Sequence, residues 1–179
     1  MEKDSEIIER VKKGNKEAYG VIVKKYMRKA YSLALGFVGN THDALDLSQT
    51  AFIKAYRSLP AFDHNRPFLP WFYAILRNLC INHMRRKKTI LMIPLETETQ
   101  ADPGHDLRRE KHQKDMQELV ARAISLLPHS EREVVLLKYF QGHTYKEIGE
   151  MVSCPLGTVM SRLYYARRKL RDYLEKYLE

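Results

Sequence analysis

The 179-residue sequence contains few cysteines, few glycines and prolines, and no long apolar run. Cys80 and Cys154 lie far apart outside any CxxC motif, which argues against a disulfide framework or a four-ligand zinc site, so we expect buried free thiols. Eight glycines and seven prolines are few for a turn-rich all-β protein and favour long helices. Because no stretch approaches the roughly 18 apolar residues of a membrane span and the N-terminus lacks the apolar core of a signal peptide, we expect a cytoplasmic protein with no membrane span.

Sequence motifs of common catalytic sites are also missing. The sequence has no GxxxxGK phosphate loop, GxSxG elbow, HExxH pair or dinucleotide-binding fingerprint. Its seven histidines are scattered, and no two are separated by four residues. We therefore expect a protein that binds rather than catalyses, with no metal site and no cofactor.

Positive charge is abundant but unevenly distributed. The net charge of +9 divides into +9 over residues 1–88, −3 over residues 89–119 and +3 over residues 120–179. The acidic middle contains Pro103-Gly104 and little helical periodicity, which is typical of a linker. We predict an all-α fold with two small helical domains of four helices each, residues 1–88 and 116–179, joined by a flexible linker at residues 89–115.

Apolar residues in the first domain recur at three- and four-residue steps, which predicts helices. A short leading helix is predicted before Gly14-Asn15, and a second helix from about Tyr19 to Phe37. A third is predicted to begin at an N-cap, Thr41, and to end near Ser58 before Pro60. A fourth follows a loop and runs from about Phe68 to the basic segment at residues 85–88.

The second domain has clearer helix signals. An apolar stripe from Met116 to Leu127 stops at Pro128, and two capping boxes follow, one over residues 130–133 and one over residues 144–147. The short turn over residues 153–156, which contains Pro155, separates the next two helices. This spacing is typical of a helix-turn-helix.

The last predicted helix has two distinct faces. Val159, Leu163, Ala166 and Leu170 form an apolar stripe that should pack on the preceding helices. The opposite face suits the DNA major groove, where hydroxyls bond base edges, apolar groups contact thymine methyls and arginines bind phosphates. A basic face exposed only to solvent is the alternative. The candidate DNA contacts are Met160, Ser161, Arg162, Tyr164, Tyr165, Arg167, Arg168, Lys169 and Arg171.

A second candidate DNA-binding segment lies between Leu59 and Lys88. Aromatic residues there alternate with basic ones, a combination that holds single strands by base stacking and phosphate attraction. Burial in the core is the alternative, and it is the stronger one for Trp71. The aromatic members are Phe62, Phe68, Trp71, Phe72 and Tyr73, and the basic ones are Arg66, Arg77, Arg85 and Arg86.

Three segments together resemble one family. DALDLSQTAFIKAY (Asp43 to Tyr56) is similar to the polymerase-binding helix of extracytoplasmic-function sigma factors, and EIGEMVSCPLGTVMSRLYYARRKLR (Glu147 to Arg171) is similar to their helix-turn-helix. FxxWFYxIxxN (Phe68 to Asn78) lies between them. The resemblance implies an alternative sigma factor that binds core RNA polymerase and directs promoter-specific transcription initiation.

The resemblance also implies partners and residue roles. The partners are core RNA polymerase (the clamp of its largest subunit and the flap of its second largest), promoter DNA as duplex and melted strand, and an anti-sigma factor. The residues that the resemblance assigns to polymerase binding are Leu45, Asp46, Gln49 and Thr50. Thr50 stands where the family usually has Glu. For the minus-ten element it implies a base pocket of Phe62, Ile75 and Asn78 with the loop at residues 61–67, and for the minus-thirty-five element it implies Met160, Ser161, Tyr164 and Tyr165, where Met160 and Tyr165 stand in place of frequent Arg or Lys. The residue pattern adds Trp71, Tyr73, Arg77, Arg85 and Arg86 to the expected minus-ten contacts. It adds Thr158, Arg162, Arg167 and Arg168 to the expected minus-thirty-five contacts.

Two other interpretations are open at this point. SEREVVLLKYFQGHTYKEIGEM also resembles the output domain of a response-regulator transcription factor, although residues 5–88 lack the alternating strands of a receiver. A small DNA recombinase would use Tyr164 or Tyr165 as its nucleophile, but no constellation of Arg and His surrounds them in the sequence.

Overall fold

The computed structural model describes residues 3–90 and 109–178. Over these ranges the chain forms helices and no strand, which confirms the predicted all-α fold. No helix in the described part of the chain is both long and apolar enough to cross a membrane. The helices are α1 (Asp4–Lys12), α2 (Lys16–Val38), α3 (Thr41–Ser58), α4 (Phe68–Ile90), α5 (Arg109–Leu126), α6 (His129–Val135), α7 (Tyr145–Val152) and α8 (Leu156–Leu178), with a 3-10 turn at Leu59–Ala61 and a π-helical turn at Leu136–Phe140.

The start of α3 differs by one residue from the prediction. Asn40, not Thr41, is the N-cap, because its Oδ1 accepts a hydrogen bond of 2.8 Å from the backbone N–H of Asp43. The Asp43 carboxylate lies in the first turn, where it favours the helix dipole. It also lies 2.9 Å from Nε2 of His83, which ties the start of α3 to α4.

Stacked aromatic rings fill the core of the first domain. The Phe72 ring of α4 lies 4.4 Å from the Phe52 ring of α3 and 5.6 Å from the Phe68 ring, centroid to centroid. Tyr26 of α2 contacts Phe68 at 5.6 Å, and the hydroxyl of Tyr19 donates a 2.8 Å hydrogen bond to the Phe52 carbonyl. These contacts fix α2, α3 and α4 relative to one another.

Both cysteines are free thiols, as expected, but only one of them is buried. Cys80 lies on the buried side of α4, and burial raises its thiol pKa to about 12, so it stays protonated. Cys154 lies half-buried in the turn before α8.

Only one of the two predicted capping boxes forms. At the start of α7, the Thr144 N–H donates to Glu147 Oε2 at 2.7 Å, and the Glu147 N–H donates to Thr144 Oγ1 at 3.3 Å. The predicted box at Ser130 and Glu133 is wrong, since α6 follows Pro128 without a side-chain cap. The Glu133 carboxylate instead points into the first domain.

The two domains pack against each other through α2 and the α6 region. The Phe37 ring of α2 stacks on His129 with centroids 5.5 Å apart, and Arg132 Nη1 donates to the Phe37 carbonyl at 3.0 Å. A Cβ atom at Gly36 would lie within 3.0 Å of both methyl carbons of Leu136. Glycine at this position therefore allows α2 to approach Leu136 closely.

The helices extend beyond the predicted domain boundaries. α4 continues to Ile90 and α5 begins at Arg109, so each runs into the predicted linker at residues 89–115. The centre of that linker, residues 91–108, lies outside the described residues.

Candidate nucleic-acid interface

The helix-turn-helix is built by local backbone constraints at the turn between α7 and α8. Ser153 adopts a left-handed conformation with φ of 53°, and the Cys154 N–H donates to the Gly149 carbonyl at 3.0 Å. A Cβ at Gly149 would lie 2.9 Å from the Cys154 carbonyl oxygen, so a side chain there would push the turn away. The turn thus sets the angle at which α8 leaves α7.

The two predicted faces of α8 are present. Val159, Leu163 and Ala166 are completely buried against the rest of the second domain. Tyr164 and Tyr165 are 59% and 53% exposed, and their rings meet edge to face at 5.4 Å. A group of large, exposed apolar side chains often marks a binding surface. This face therefore suits the DNA major groove, where thymine methyl groups offer apolar contacts.

The polar residues of α8 differ in how freely they can bind DNA. The Ser161 hydroxyl donates to the Thr158 carbonyl at 3.0 Å, so it presents acceptor lone pairs to a partner. Arg167 is exposed but donates its Nε–H to the Leu163 carbonyl at 3.2 Å. Of the remaining predicted contacts, Met160 and Arg168 are exposed and Thr158 and Arg162 are half-buried.

One predicted phosphate contact on α8 already has an acidic partner. Lys169 Nζ lies 2.7 Å from Glu131 Oε1 of α6, and both side chains belong to the second domain. This ion pair anchors α8 to α6 and occupies the Lys169 ammonium group.

The residues that the resemblance assigns to polymerase binding lie on one face of α3. Leu45, Asp46 and Gln49 are exposed, and Thr50 is half-buried. Ile53 extends this face and is 53% exposed, although the sequence analysis did not select it. Its position eight residues after Leu45, on the exposed face, is the signal that would have found it.

The proposed base pocket of the first domain is partly closed by its own aromatic residues. Phe62 is only 4% exposed and lies 4.4 Å from the Trp71 ring, centroid to centroid. A cavity of about 490 Å³ lies beside them, lined by loop residues including Asp63 and Arg66, and by Glu150 of α7. In this arrangement Trp71, rather than Phe62, carries the more accessible ring.

The other predicted minus-ten contacts lie farther along α4. Asn78 is exposed and Ile75 is half-buried, and neither lines the cavity beside Phe62. Arg85 and Arg86 are exposed near the C-terminal end of the described side chains of α4. The structure therefore brings Phe62 and Trp71 together but does not bring Ile75 and Asn78 into the same pocket.

Tyr73 and Arg77 lie in the contact between the two domains. Tyr73 is 1% exposed, and its hydroxyl donates to Glu133 Oε1 at 2.7 Å. Burial, reinforced by the Glu133 charge, raises the pKa of Tyr73 well above its usual value. Arg77 donates its Nε–H to the same Glu133 oxygen. In this conformation Tyr73 is enclosed, whereas the Arg77 side chain remains 33% exposed beside Glu133. That these two side chains contact DNA stays a prediction.

Family models match both domains. The model described as Sigma-70 region 2 matches residues 22–90, and the model described as Sigma-70, region 4 matches residues 117–170. The region 2 match covers most of the first domain. The response-regulator and recombinase interpretations do not account for that domain, so the match favours the sigma-factor interpretation.

Similar proteins extend over nearly the whole chain. The ECF RNA polymerase sigma factor SigW of Bacillus subtilis (strain 168) is 34% identical over 93% of this chain and 94% of that protein. The RNA polymerase sigma-H factor of Pseudomonas aeruginosa is 32% identical over 99% of this chain and 97% of that protein. The ECF RNA polymerase sigma-E factor of Escherichia coli (strain K12) is 32% identical over 96% of this chain and 94% of that protein.

Solved structures share the fold at lower sequence identity. CnrH, solved in complex with the cytosolic domain of CnrY, matches with a TM-score of 0.74 at 23% identity over 97% of each chain. The sigma factor RpoE of Bartonella quintana, solved in complex with the anti-sigma factor NepR, matches with a TM-score of 0.69 at 20% identity, over 88% of this chain and 96% of that chain.

Proposed function

The chain belongs to the sigma-70 family, as an extracytoplasmic-function RNA polymerase sigma factor, and on that premise we propose that its two domains divide promoter recognition between them. It binds core RNA polymerase and directs promoter-specific transcription initiation. Residues 1–88 bind polymerase and the melted minus-ten element, residues 116–179 read the minus-thirty-five element as duplex, and residues 89–115 connect them. The protein acts in the cytoplasm, by binding alone.

The division of α8 into a buried and an exposed face carries this proposal. In a helix-turn-helix, the second helix lies in the major groove, and the residues of its N-terminal half reach the base edges. In this chain the second helix is α8. Met160 and Tyr164 supply apolar contacts to thymine methyl groups, and Ser161 accepts a hydrogen bond from a base amine. Arg167 and Arg168 bind the flanking phosphates, which position the helix without reading the sequence.

The first domain supplies a different kind of DNA contact. A base that has left the stack needs a flat apolar wall and polar groups at its edge. Trp71, packed on Phe62 beside the loop at residues 61–67, provides the wall. Asn78, exposed farther along α4 and outside that cavity, offers a donor and an acceptor to another part of the melted strand. Arg85 and Arg86 attract the backbone of the single strand. Capture of the unpaired bases supplies the free energy for melting.

The exposed face of α3 is the proposed contact with the polymerase clamp. It combines two exposed apolar side chains, Leu45 and Ile53, with the exposed polar groups of Asp46 and Gln49. Such a mixture of apolar and hydrogen-bonding groups suits a protein interface, where a few residues supply most of the binding energy. The second domain makes the contact with the flap of the second-largest subunit.

Replacing both Asp46 and Gln49 by alanine should weaken the binding of core RNA polymerase. We expect a loss of about tenfold or more, because the truncation of two polar contacts at the centre of an interface commonly costs that much. The measurement is a titration of bacterial core polymerase with the purified chain, followed by fluorescence anisotropy.

A matched control removes the same chemical groups elsewhere. Gln117→Ala with Glu118→Ala also deletes one amide and one carboxylate, from exposed positions on α5, and should bind polymerase like the parent chain. If Asp46→Ala with Gln49→Ala binds as tightly as this control, the assignment of α3 to the polymerase contact is wrong.

An anti-sigma factor is a further proposed partner. Two proteins of the same fold were solved in complexes, one with the cytosolic domain of CnrY and one with the anti-sigma factor NepR. The exposed α3 face and the exposed α8 face are the surfaces that such a partner would need to cover in order to block both polymerase and promoter binding.

A further inference from the structure

The short helix α1 lies outside the segment that the region 2 family model matches, yet it borders the loop at residues 61–67. The match begins at residue 22, whereas α1 ends at Lys12. At its start, Asp4 lines a cavity of about 480 Å³ together with loop residues 64–67. At its end, Lys12 lines another cavity together with Pro60, in the turn from which the loop departs. One helix therefore borders both ends of the loop.

α1 is fixed on the core of the first domain, so it can serve as a support. Ile7 and Ile8 are each 1% exposed. At the start of the helix, Asp4 Oδ1 lies 2.6 Å from Lys25 Nζ, and Asp4 Oδ2 accepts a hydrogen bond from the Tyr26 hydroxyl. Charge-assisted bonds of this kind are stronger than neutral ones. α1 cannot shift along α2 without breaking them.

The end of α1 reaches the loop through one side chain. Lys12 Nζ donates a hydrogen bond of 2.5 Å to the Phe62 carbonyl, and this bond is charge-assisted because the donor is an ammonium group. The Phe62 N–H donates to the Leu59 carbonyl at 3.1 Å. Both polar groups of the Phe62 backbone are thus bonded, and its ring packs 4.4 Å from the Trp71 ring, centroid to centroid.

The turn that follows Phe62 has hydrogen bonds of its own. Asp63 Oδ1 accepts from the Asn65 N–H at 3.0 Å, and the Asp63 carbonyl accepts from the Arg66 N–H at 3.0 Å. Such bonds determine the shape of a turn, but they join residues at most three positions apart and do not determine its direction. The direction of the loop depends on contacts with other elements, such as the bond between Lys12 and Phe62.

We propose that α1 positions the base-capturing loop of the first domain, and that Lys12 is the positioning residue that holds the Phe62 carbonyl. The inference rests on the proposed capture of an unpaired base beside Trp71. A loop that is already held in its binding shape loses less conformational entropy when the base arrives, so the base binds more tightly. Lys12 acts through Phe62 and Trp71, without contact to the strand.

Two neighbouring lysines give a matched pair of variants. Lys12→Met keeps an unbranched side chain and removes the ammonium donor to Phe62. Lys13→Met removes the same charge one residue later, from a side chain that is 73% exposed and lies 2.6 Å from Glu9 of its own helix. A general effect of charge on DNA binding is therefore similar in both variants. Unchanged helical content by circular dichroism shows that both are folded.

The first measurement is acrylamide quenching of the full-length chain without DNA. Trp71 is the single tryptophan, and its ring packs on Phe62, so quenching reports how well Phe62 is held against it. Quenching should increase in Lys12→Met and match the parent in Lys13→Met. Equal quenching in all three chains would contradict a role of Lys12 in holding Phe62.

The second measurement is the affinity of each chain, assembled with core RNA polymerase, for a fluorescein-labelled single strand. The strand is copied from the minus-ten element of a promoter that the parent chain transcribes. Lys12→Met should bind it about tenfold more weakly, because one charge-assisted hydrogen bond is lost. Lys13→Met should lose less than about twofold.

The salt dependence of this affinity separates positioning from a direct phosphate contact. The slope of log affinity against log salt should be the same in Lys12→Met and the parent, whereas loss of a phosphate contact would reduce it by about 0.7. A reduced slope, or equal affinities of the two variants, would overturn the positioning role and leave base capture in place. Failure of every chain to bind the strand would instead overturn base capture by the first domain, and the positioning role with it.

Discussion

Replacing Phe72 by alanine should lower the free energy of unfolding of the first domain by about 3–5 kcal/mol. Its ring is enclosed between Phe52 and Phe68, so the substitution leaves a cavity between α3 and α4 that neighbouring rings cannot fill without moving. Trp71 is the single tryptophan of the sequence and contacts Phe68, so its fluorescence reports the unfolding of this domain in urea. The loss should appear as a lower urea midpoint.

The control for this substitution lies on the same helix. Asn78→Ala removes an exposed side chain from α4 and should change stability by no more than about 0.5 kcal/mol. A loss below about 1 kcal/mol for Phe72→Ala would show that the aromatic stack does not hold α3 and α4 together.

Replacing Leu163 by alanine should destabilise the second domain by about 2–5 kcal/mol. Leu163 is completely buried between Val159 and Ala166, on the face through which α8 packs on the rest of its domain. Circular dichroism in urea should therefore show an early loss of part of the helical signal. The Trp71 fluorescence transition, which reports the first domain, should move much less.

The neighbouring residue provides the control for Leu163. Tyr164→Ala truncates a larger side chain, but that side chain is 59% exposed, so stability should change by about 0.5 kcal/mol or less. If Leu163→Ala moved the Trp71 fluorescence and the circular dichroism equally, the two proposed domains would unfold as one unit.

Local signals in the sequence were sufficient to predict most of the helices. The capping box at Thr144 and Glu147 formed as predicted, because both of its hydrogen bonds lie within four consecutive residues. The buried face of α8 was predicted from apolar spacing, since its partners lie within the same small domain. In both cases the deciding contacts are close in sequence.

The errors arise where distant residues compete with local ones. Ser130 and Glu133 have the spacing of a capping box, but Tyr73 and Arg77 bind the Glu133 carboxylate from a segment about 60 residues earlier. The alternation of aromatic and basic residues made Tyr73 a candidate DNA contact, but the sequence of one helix does not show which of its faces meets another domain. Asn40 displaced Thr41 as the N-cap, which is a difference of one residue at a helix end.

The exposed faces of α8 and α3 were predicted better than the base pocket, because contacts between distant residues decide the pocket. On α8 and α3 the selected residues are mostly exposed, since each face is determined by its own helix. The proposed base pocket combines a loop with α4, and the packing of Phe62 on Trp71 depends on how that loop folds back. Residue types alone did not indicate that Phe62 would be covered.

The division of recognition between the domains is tested most directly by run-off transcription from two templates. One is a duplex promoter, and the other is the same promoter already unpaired at its minus-ten element. With core RNA polymerase, Asn78→Ala should reduce run-off transcription from the duplex by about tenfold and regain most of it on the unpaired template, because base capture drives melting. Tyr164→Ala should reduce transcription from both templates equally, because its contact is to duplex DNA upstream. An equal loss on both templates for Asn78→Ala, or a loss for Tyr164→Ala that unpairing restores, would contradict the account.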